Sequence, residues 1–380
     1  MDKRSLTKIT CALAGAFILN TENGAGQEQS IAPSLTVRVD TTQLEVKQVL
    51  NLFENYLNSR PDSLYDNPYW SKEDKSRHPD FYSARAWIYS SKDILYAFPP
   101  RILSIEKEGE YYYAIRTLYY REGLAGPYQG SNPWAVQRLY AGKENGEWRL
   151  FDPLPIITAK WPRTQVGRLV YIYNSEHSFD EKLAKEQAGF VDSIISAFEL
   201  PKIEPVEFYI TSHKDELARI LGLDYTLGPS TGRSISKNAQ VFSALGSEWY
   251  PHEIVHVLFR EYLSCYLLNE GIATLLGGSV GIPFDSLVKD LAQYLKNNDT
   301  LTFRYMLENP YQAGSTKYFY TSGAVICKAA YESGGAKAVK ELLLSGRNPD
   351  GLESVLQQIL GWDKEKVTEL WKEKTLVYAR

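Results

Sequence analysis

The chain has 380 residues, enough for two domains of ordinary size or one large one. Its hydrophobic content of 44% and charged content of 23% describe a folded globular protein and exclude a disordered or fibrous one. A formal net charge of -4 leaves no basic footprint for nucleic acid, and 27 tyrosines with 8 tryptophans suit strands and helix packing before sugar platforms.

The N-terminus has the layout of a secretory signal. Lys3, Arg4 and Lys8 form a positive region, Ile9 to Leu19 is an apolar run of 11 residues, and Gly24-Ala25-Gly26 offers a cleavage neighbourhood. The run is short for a bilayer crossing, so residues 1–26 read as a removable signal peptide and the mature chain as exported, without a membrane-spanning segment. Cys11 lies inside the apolar run and is not read as a lipidation site. Once the signal is removed only Cys265 and Cys327 remain, either as one disulfide or as two small core residues.

Residues 27–36 are polar and read as a linker. Thr42 and Glu45 have capping-box spacing, and Leu44, Val49, Leu50, Phe53, Tyr56 and Leu57 follow at helical intervals, predicting an amphipathic helix over 42–59. Strands are expected at Ile102–Ile105 and Glu110–Tyr120 around a Glu-Gly turn. A second pair, Ala135–Ala141 and Glu147–Phe151, flanks Asn145-Gly146, a strong hairpin signal. One long helix and a run of hairpins make a small α+β domain over 37–158. Its element order resembles the cone-shaped domains of the nuclear transport factor 2-like (SnoaL-like) superfamily. That resemblance implies a pocket without specifying a ligand, and a packing or substrate-orienting accessory role is the reading preferred here.

Asp152-Pro-Leu-Pro155 to Trp161-Pro162 punctuates a boundary. Beyond it the pattern predicts a strand at Arg168–Tyr173, a helix at Asp180–Leu200, a strand at Val206–Thr211 and a helix at Asp215–Leu221. A loop at Gly228–Gly232 and a strand at Ala239–Leu245 follow, and from 249 the chain reads as almost wholly helical. His78, His177 and His213 stand in polar segments and read as solvated loop or cap residues; Asp180-Glu181 and Asp215-Glu216 read as helix starts.

Pro251 suits a first helical turn, with a helix expected from His252 to about Tyr262. In His252-Glu253-Ile-Val-His256 the two histidines lie four residues apart on one helical face, so both imidazoles can aim at one zinc ion. Glu253 stands close enough to take a proton from a zinc-activated water and pass it to a leaving amine. A third ligand is needed. Position 262 is Tyr and 259 is Phe, which excludes the metzincin pattern. Glu261 lies five residues after His256, about 140° away around the helix.

Downstream, Leu268-Asn-Glu-Gly-Ile-Ala273 resembles the gluzincin run in which a second helix supplies a glutamate. The resemblance covers roughly 165–380 and implies Glu270 as third ligand, Asn269 as a cap or brace, and Ala273 as a small residue at a close helix crossing. Thirteen residues separate His256 from Glu270, a spacing that resembles the compact bacterial peptidase-MA-like proteins and departs from the longer connection of thermolysin-like and aminopeptidase-like members. The run Tyr318 to Val325 resembles a segment of the same compact family, ending in a break near Tyr331 to Gly334. By that likeness Tyr320, with Tyr318 in reserve, would donate to the developing oxyanion. The strand Val241–Ala244 would pair with an extended peptide, as the gluzincin edge strand does.

The expected architecture is therefore α+β: a cone-like N-terminal domain, then a gluzincin-like domain with a small sheet and a helical half. The expected activity is zinc-dependent hydrolysis of a peptide or protein substrate. The rivals are a catalytically inactive peptidase-like binding protein and a ligand-binding protein acting through the N-terminal domain.

Overall fold

The computed structural model describes residues 30–59, 67–77, 95–96, 98–121, 133–310 and 316–380. The signal-peptide reading of 1–26 and His78 lie outside them. The described strands are β1 Ser34–Leu35, β2 Pro100–Glu108, β3 Tyr112–Tyr120, β4 Pro133–Glu144, β5 Glu147–Phe151, β6 Arg163–Val166, β7 Leu169–Tyr173, β8 Val206–Ile210, β9 Leu223–Thr226, β10 Gly232–Ile235 and β11 Gln240–Ser243. The helices are α1 Leu44–Leu57, α2 Lys72–Arg77, α3 Pro153–Ile157, α4 Glu181–Ala197, α5 Lys214–Ile220, α6 Pro251–Leu258, α7 Tyr266–Gly277, α8 Phe284–Asn297, α9 Phe303–Glu308, α10 Thr316–Ser345, α11 Leu352–Leu360 and α12 Val367–Tyr378. The fold is a mixture of helices with two sheets. No helix among the described residues is long and apolar enough to cross a membrane.

The chain forms two compact units. The first comprises 1–162, 173–175 and 211–231; the second comprises 163–172, 176–210 and 232–380. In the first, β1 to β5 form a sheet in sequence order, with β9 paired to β4. The Asn145-Gly146 turn closes β4 on β5 with Glu144 opposite Glu147. Both turn residues have positive φ, 52° and 84°, as a two-residue hairpin requires. α1 packs Val46, Val49, Leu50, Phe53 and Tyr56 into a core with Ile102, Ile115, Leu139 and Trp70. Leu44, expected in that stripe, is exposed.

The capping box does not form. Gln43 is the N-cap and makes no side-chain cap. Asp40 accepts from both the backbone amide and the hydroxyl of Thr42, at 3.1 and 2.6 Å. Glu45 accepts from the Tyr113 hydroxyl instead. Short polar side chains bond whichever local partner is nearest, and the aspartate two residues upstream wins. Residues 30–36, expected as linker, are docked. Ile31 is buried, its amide donates to Asn58 at 2.8 Å, and β1 pairs in parallel with β2.

In the second unit the sheet order is β10-β11-β8-β7-β6. β11 pairs antiparallel with β10 and parallel with β8, so it is an interior strand. This corrects the expectation that Val241–Ala244 offers a free edge: the edge strand on that side is β10, four residues long, which starts at Gly232, the last residue of the expected loop. Around this sheet the remaining elements are helical. α10 carries a break at Gly334 and Gly335, where the sequence predicts one. Cys265 and Cys327 are both free and buried, as core residues.

Candidate metal centre

α6 begins at Pro251, whose missing donor costs nothing in a first turn. The preceding amide, Tyr250, donates to Gln187 Oε1 of α4 at 2.8 Å, so the buried start of this helix is satisfied from outside it. Ile254, Val255, Val257 and Leu258 are buried on the same two turns. The helix is shorter than expected. It stops at Leu258, and Arg260–Tyr262 form a 3-10 turn. Glu261 is on that turn, exposed and paired with Arg260, away from the histidines' cluster.

Asn269 fixes the turn into α7. Its Oδ1 accepts from the Ser264 amide at 2.8 Å and its Nδ2 donates to the Ser264 carbonyl at 2.9 Å, which is the brace the sequence suggests. α7 then lies against α6 and α10 through glycines. A Cβ on Gly277 would stand 2.5 Å from the His252 backbone nitrogen, and one on Gly271 would stand 2.4 Å from the Gly323 carbonyl carbon. Helix backbones in such contact tolerate no side chain between them. Ala273 is buried beside them.

These contacts bring His252, His256 and Glu270 together, with one possible ligand atom from each inside 4.8 Å of the others. Glu270 Oε2 stands 3.3 Å from His252 Nε2 and 3.8 Å from His256 Nε2. A tetrahedral zinc with ligands near 2.1 Å separates its donor atoms by about 3.4 Å, so the spacing fits. The tautomer fits too. His252 Nδ1 is 2.6 Å from the Gly278 carbonyl, which can only accept, so Nδ1 carries a proton and Nε2, on the Glu270 side, is the nitrogen that can give one up to ligate.

Burial disfavours charge on His252, yet the hydrogen bond it donates to Glu270 and the nearby charges of Glu253 and Glu270 outweigh it and raise its pKa to about 9. Burial pushes the Glu270 carboxyl up, but His256 and His252 hold it below the ordinary range. Glu253 is itself buried, one residue after His252.

Tyr320 is the tyrosine on the metal side. Its ring is stacked at 6.2 Å on that of His252, and its hydroxyl is 2.7 Å from that of Tyr266. Tyr318 stacks on Tyr294 of α8 at 4.2 Å, beneath the Lys317 ammonium. Three residues escaped the sequence reading. Tyr266 is one turn before Glu270 and could have been found from that spacing. Gly278 contributes only a carbonyl and leaves no signal. His177, expected in solvent, is nearly buried, with Nε2 2.7 Å from the buried Glu248 carboxylate, 71 positions further along the chain. His213 does cap α5, as expected, accepting from the Glu216 amide.

No protein-family model matches the chain, and no curated protein matches it. Among solved structures it is similar to a two-domain M1 zinc metallopeptidase, a mutant bound to L-tryptophan, at 16% identity and a TM-score of 0.32. The match covers 58% of this chain and 50% of that one, so it spans about half the length of that enzyme. At that TM-score the likeness is weak.

Proposed function

We propose that the chain is a zinc-dependent peptidase of the gluzincin kind, with His252, His256 and Glu270 as ligands. One observation carries this reading: three donor atoms within 4.8 Å of one another, with Glu253 buried next to one of them on the same helix. Zinc held there supplies a Lewis acid and acidifies water, the two things amide hydrolysis requires at neutral pH. Glu253 acts as general base toward the attacking water and then returns the proton to the leaving amine. Tyr320 donates a hydrogen bond to the carbonyl oxygen as negative charge develops on it. His252 is held in the ligating tautomer by Gly278 throughout.

Metal analysis comes first. Protein purified without chelators should carry about one equivalent of zinc, and His252→Ala should carry none; wild type that neither holds nor takes up zinc ends this proposal. Glu253→Gln should keep the zinc and lose about 10²–10⁴-fold in turnover on a mixed peptide library. Equal cleavage by both proteins would remove Glu253 from its role.

Export is part of the same proposal, on the layout of residues 1–26. N-terminal sequencing of the mature protein should begin near residue 27, and a mature chain still starting at Met1 would refute it.

A further inference from the structure

We infer that Gln187 is a positioning residue for the metal set: its side-chain oxygen holds the first turn of α6, and with it His252, where the imidazole can ligate. The inference rests on the zinc reading above and adds a residue on another helix that no spacing in the motif announces.

Gln187 stands where the pattern of α4 asks for an aliphatic side chain. The helix buries Ala184, Gln187, Ala188, Val191 and Ile194, one stripe with a single polar member. Gln187 is fully buried, and its Oε1 accepts from the Tyr250 amide at 2.8 Å. A backbone N–H can only donate, so the side-chain oxygen must face it and the orientation of the amide is fixed. Its Nε2 has no hydrogen-bond partner among the described residues. Burying a half-satisfied amide costs stability that an aliphatic side chain would not lose. What Gln187 supplies in return is the bond to Tyr250.

That bond falls where α6 is weakest. The helix has eight residues, too few to persist on its own hydrogen bonds. Tyr250, its N-cap, makes no side-chain cap, and Pro251 brings no donor. His252 is therefore in the turn that would fray first. His256 lies one turn further in, where its carbonyl accepts from Ser236 Oγ at 3.2 Å. Outside contacts fix the entry to the helix. Trp249 meets Phe190 of α4 edge-on at 5.9 Å, and the Tyr250 ring lies so close to Gly232 that a Cβ there would stand 2.0 Å from it. These contacts are apolar or steric. Gln187 adds a directional one, two residues before His252, and a ligand must be held within about 0.5 Å to complete a metal set.

Two variants test the role. Gln187→Met exchanges one unpaired buried group, Nε2, for another, the Tyr250 amide, so the urea midpoint should stay near that of wild type. Its zinc affinity, read by competition with a chromophoric chelator, should fall about tenfold. Gln187→Glu keeps an oxygen opposite the Tyr250 amide but buries a carboxyl. Its midpoint should fall while its zinc affinity stays within a few-fold of wild type. A merely structural role would move midpoint and affinity together. That result, or wild-type zinc affinity in Gln187→Met, overturns the inference.

A second arm needs no metal. The His252 Nδ1 proton, held by the Gly278 carbonyl at 2.6 Å, gives a resonance in nitrogen-15-labelled protein that is missing from His252→Ala. In metal-free Gln187→Met its exchange with water should quicken about tenfold, while the amides of α10 exchange as in wild type. Unchanged exchange at His252 would show that Gln187 does not hold the first turn and refute the proposal. A wild type that takes up no zinc, with faster exchange at His252 in Gln187→Met, ends the zinc reading and leaves the hold of Gln187 on His252 established.

Discussion

Two buried histidine–glutamate pairs stand in the same compact unit, and they are built for different ends. His177 and Glu248 are 2.7 Å apart, and the same Glu248 oxygen also accepts the Asp180 amide at 2.9 Å, at the start of α4. That carboxylate is spoken for by a helix start and one imidazole, and no third ligand-type side chain joins it in a metal-holding group among the described residues. In the other pair, Glu270 Oε2 faces two imidazoles and, among the described residues, no backbone donor. A buried carboxylate closed by an amide is a structural tie; one facing two imidazole nitrogens has the donor set that could hold a metal ion. The kind of second partner, an amide in one and an imidazole in the other, separates them.

The sharpest way to break that comparison is to neutralise each carboxylate in turn. Glu270→Gln should lower zinc affinity by more than the ~10–100-fold typical of changes behind a ligand, with modest loss of stability. Glu248→Gln should leave zinc affinity unchanged within a few-fold and destabilise by about 1–3 kcal/mol, the cost of leaving a buried hydrogen-bonding group without its partner. Zinc competition assays and urea unfolding read the two effects separately. If Glu248→Gln also abolishes zinc binding, the division of labour is wrong.

A smaller effect tests how the ligand set is assembled. Gly323→Ala would set a Cβ 2.1 Å from the Leu267 carbonyl oxygen and 2.9 Å from the Gly271 Cα. Backbone cannot swing aside as a side chain can, so α7 and α10 must part. The expected cost is about 1–3 kcal/mol, with weaker zinc binding because Glu270 adjoins Gly271. Unchanged zinc affinity would show that the crossing does not set the ligand position.

The contrast between the pairs also explains what was legible in the sequence. His252, Glu253 and His256 are neighbours on two helical turns, so periodicity alone brings them together. Glu270 needed a family likeness, and it was placed because its helix crosses at glycines. His177 and Glu248 join distant segments and leave no spacing to read. The capping box at Thr42 failed because sequence spacing cannot show that Asp40 would take the hydroxyl first. The strand at 240–243 was foreseen, but its place inside the sheet depends on β10, too short and too polar to announce itself. Local periodicity survives into the fold; competition between partners and strand order do not show in it.

Protonation gives a graded test of the metal pair. In the metal-free protein His252 has its pKa raised to about 9, so the stability gained from its charge is fully present below its unfolded value near 6.5 and lost as pH rises through 9. Zinc requires the Nε2 lone pair, so binding below pH 9 must expel the His252 proton. Apparent zinc affinity should therefore rise about tenfold per pH unit from this group and flatten above pH 9. Calorimetry in buffers of different ionisation enthalpy counts the protons released at pH 7.5. A release of none would mean that His252 is not a ligand or is already neutral.

The smallest expected effect calibrates the others. Gly146 sits at φ 84° in the β4–β5 turn, in the other compact unit, with nothing within 4 Å of a Cβ built on it. Alanine meets no clash there, so Gly146→Ala isolates the backbone cost of a side chain at positive φ, about 1 kcal/mol. Urea unfolding should register that loss while zinc affinity and His252 proton release stay at wild-type values. If zinc binding weakened as well, stability in one unit would be coupled to the metal set in the other. The losses expected for Gly323→Ala could then no longer be assigned to the helix crossing.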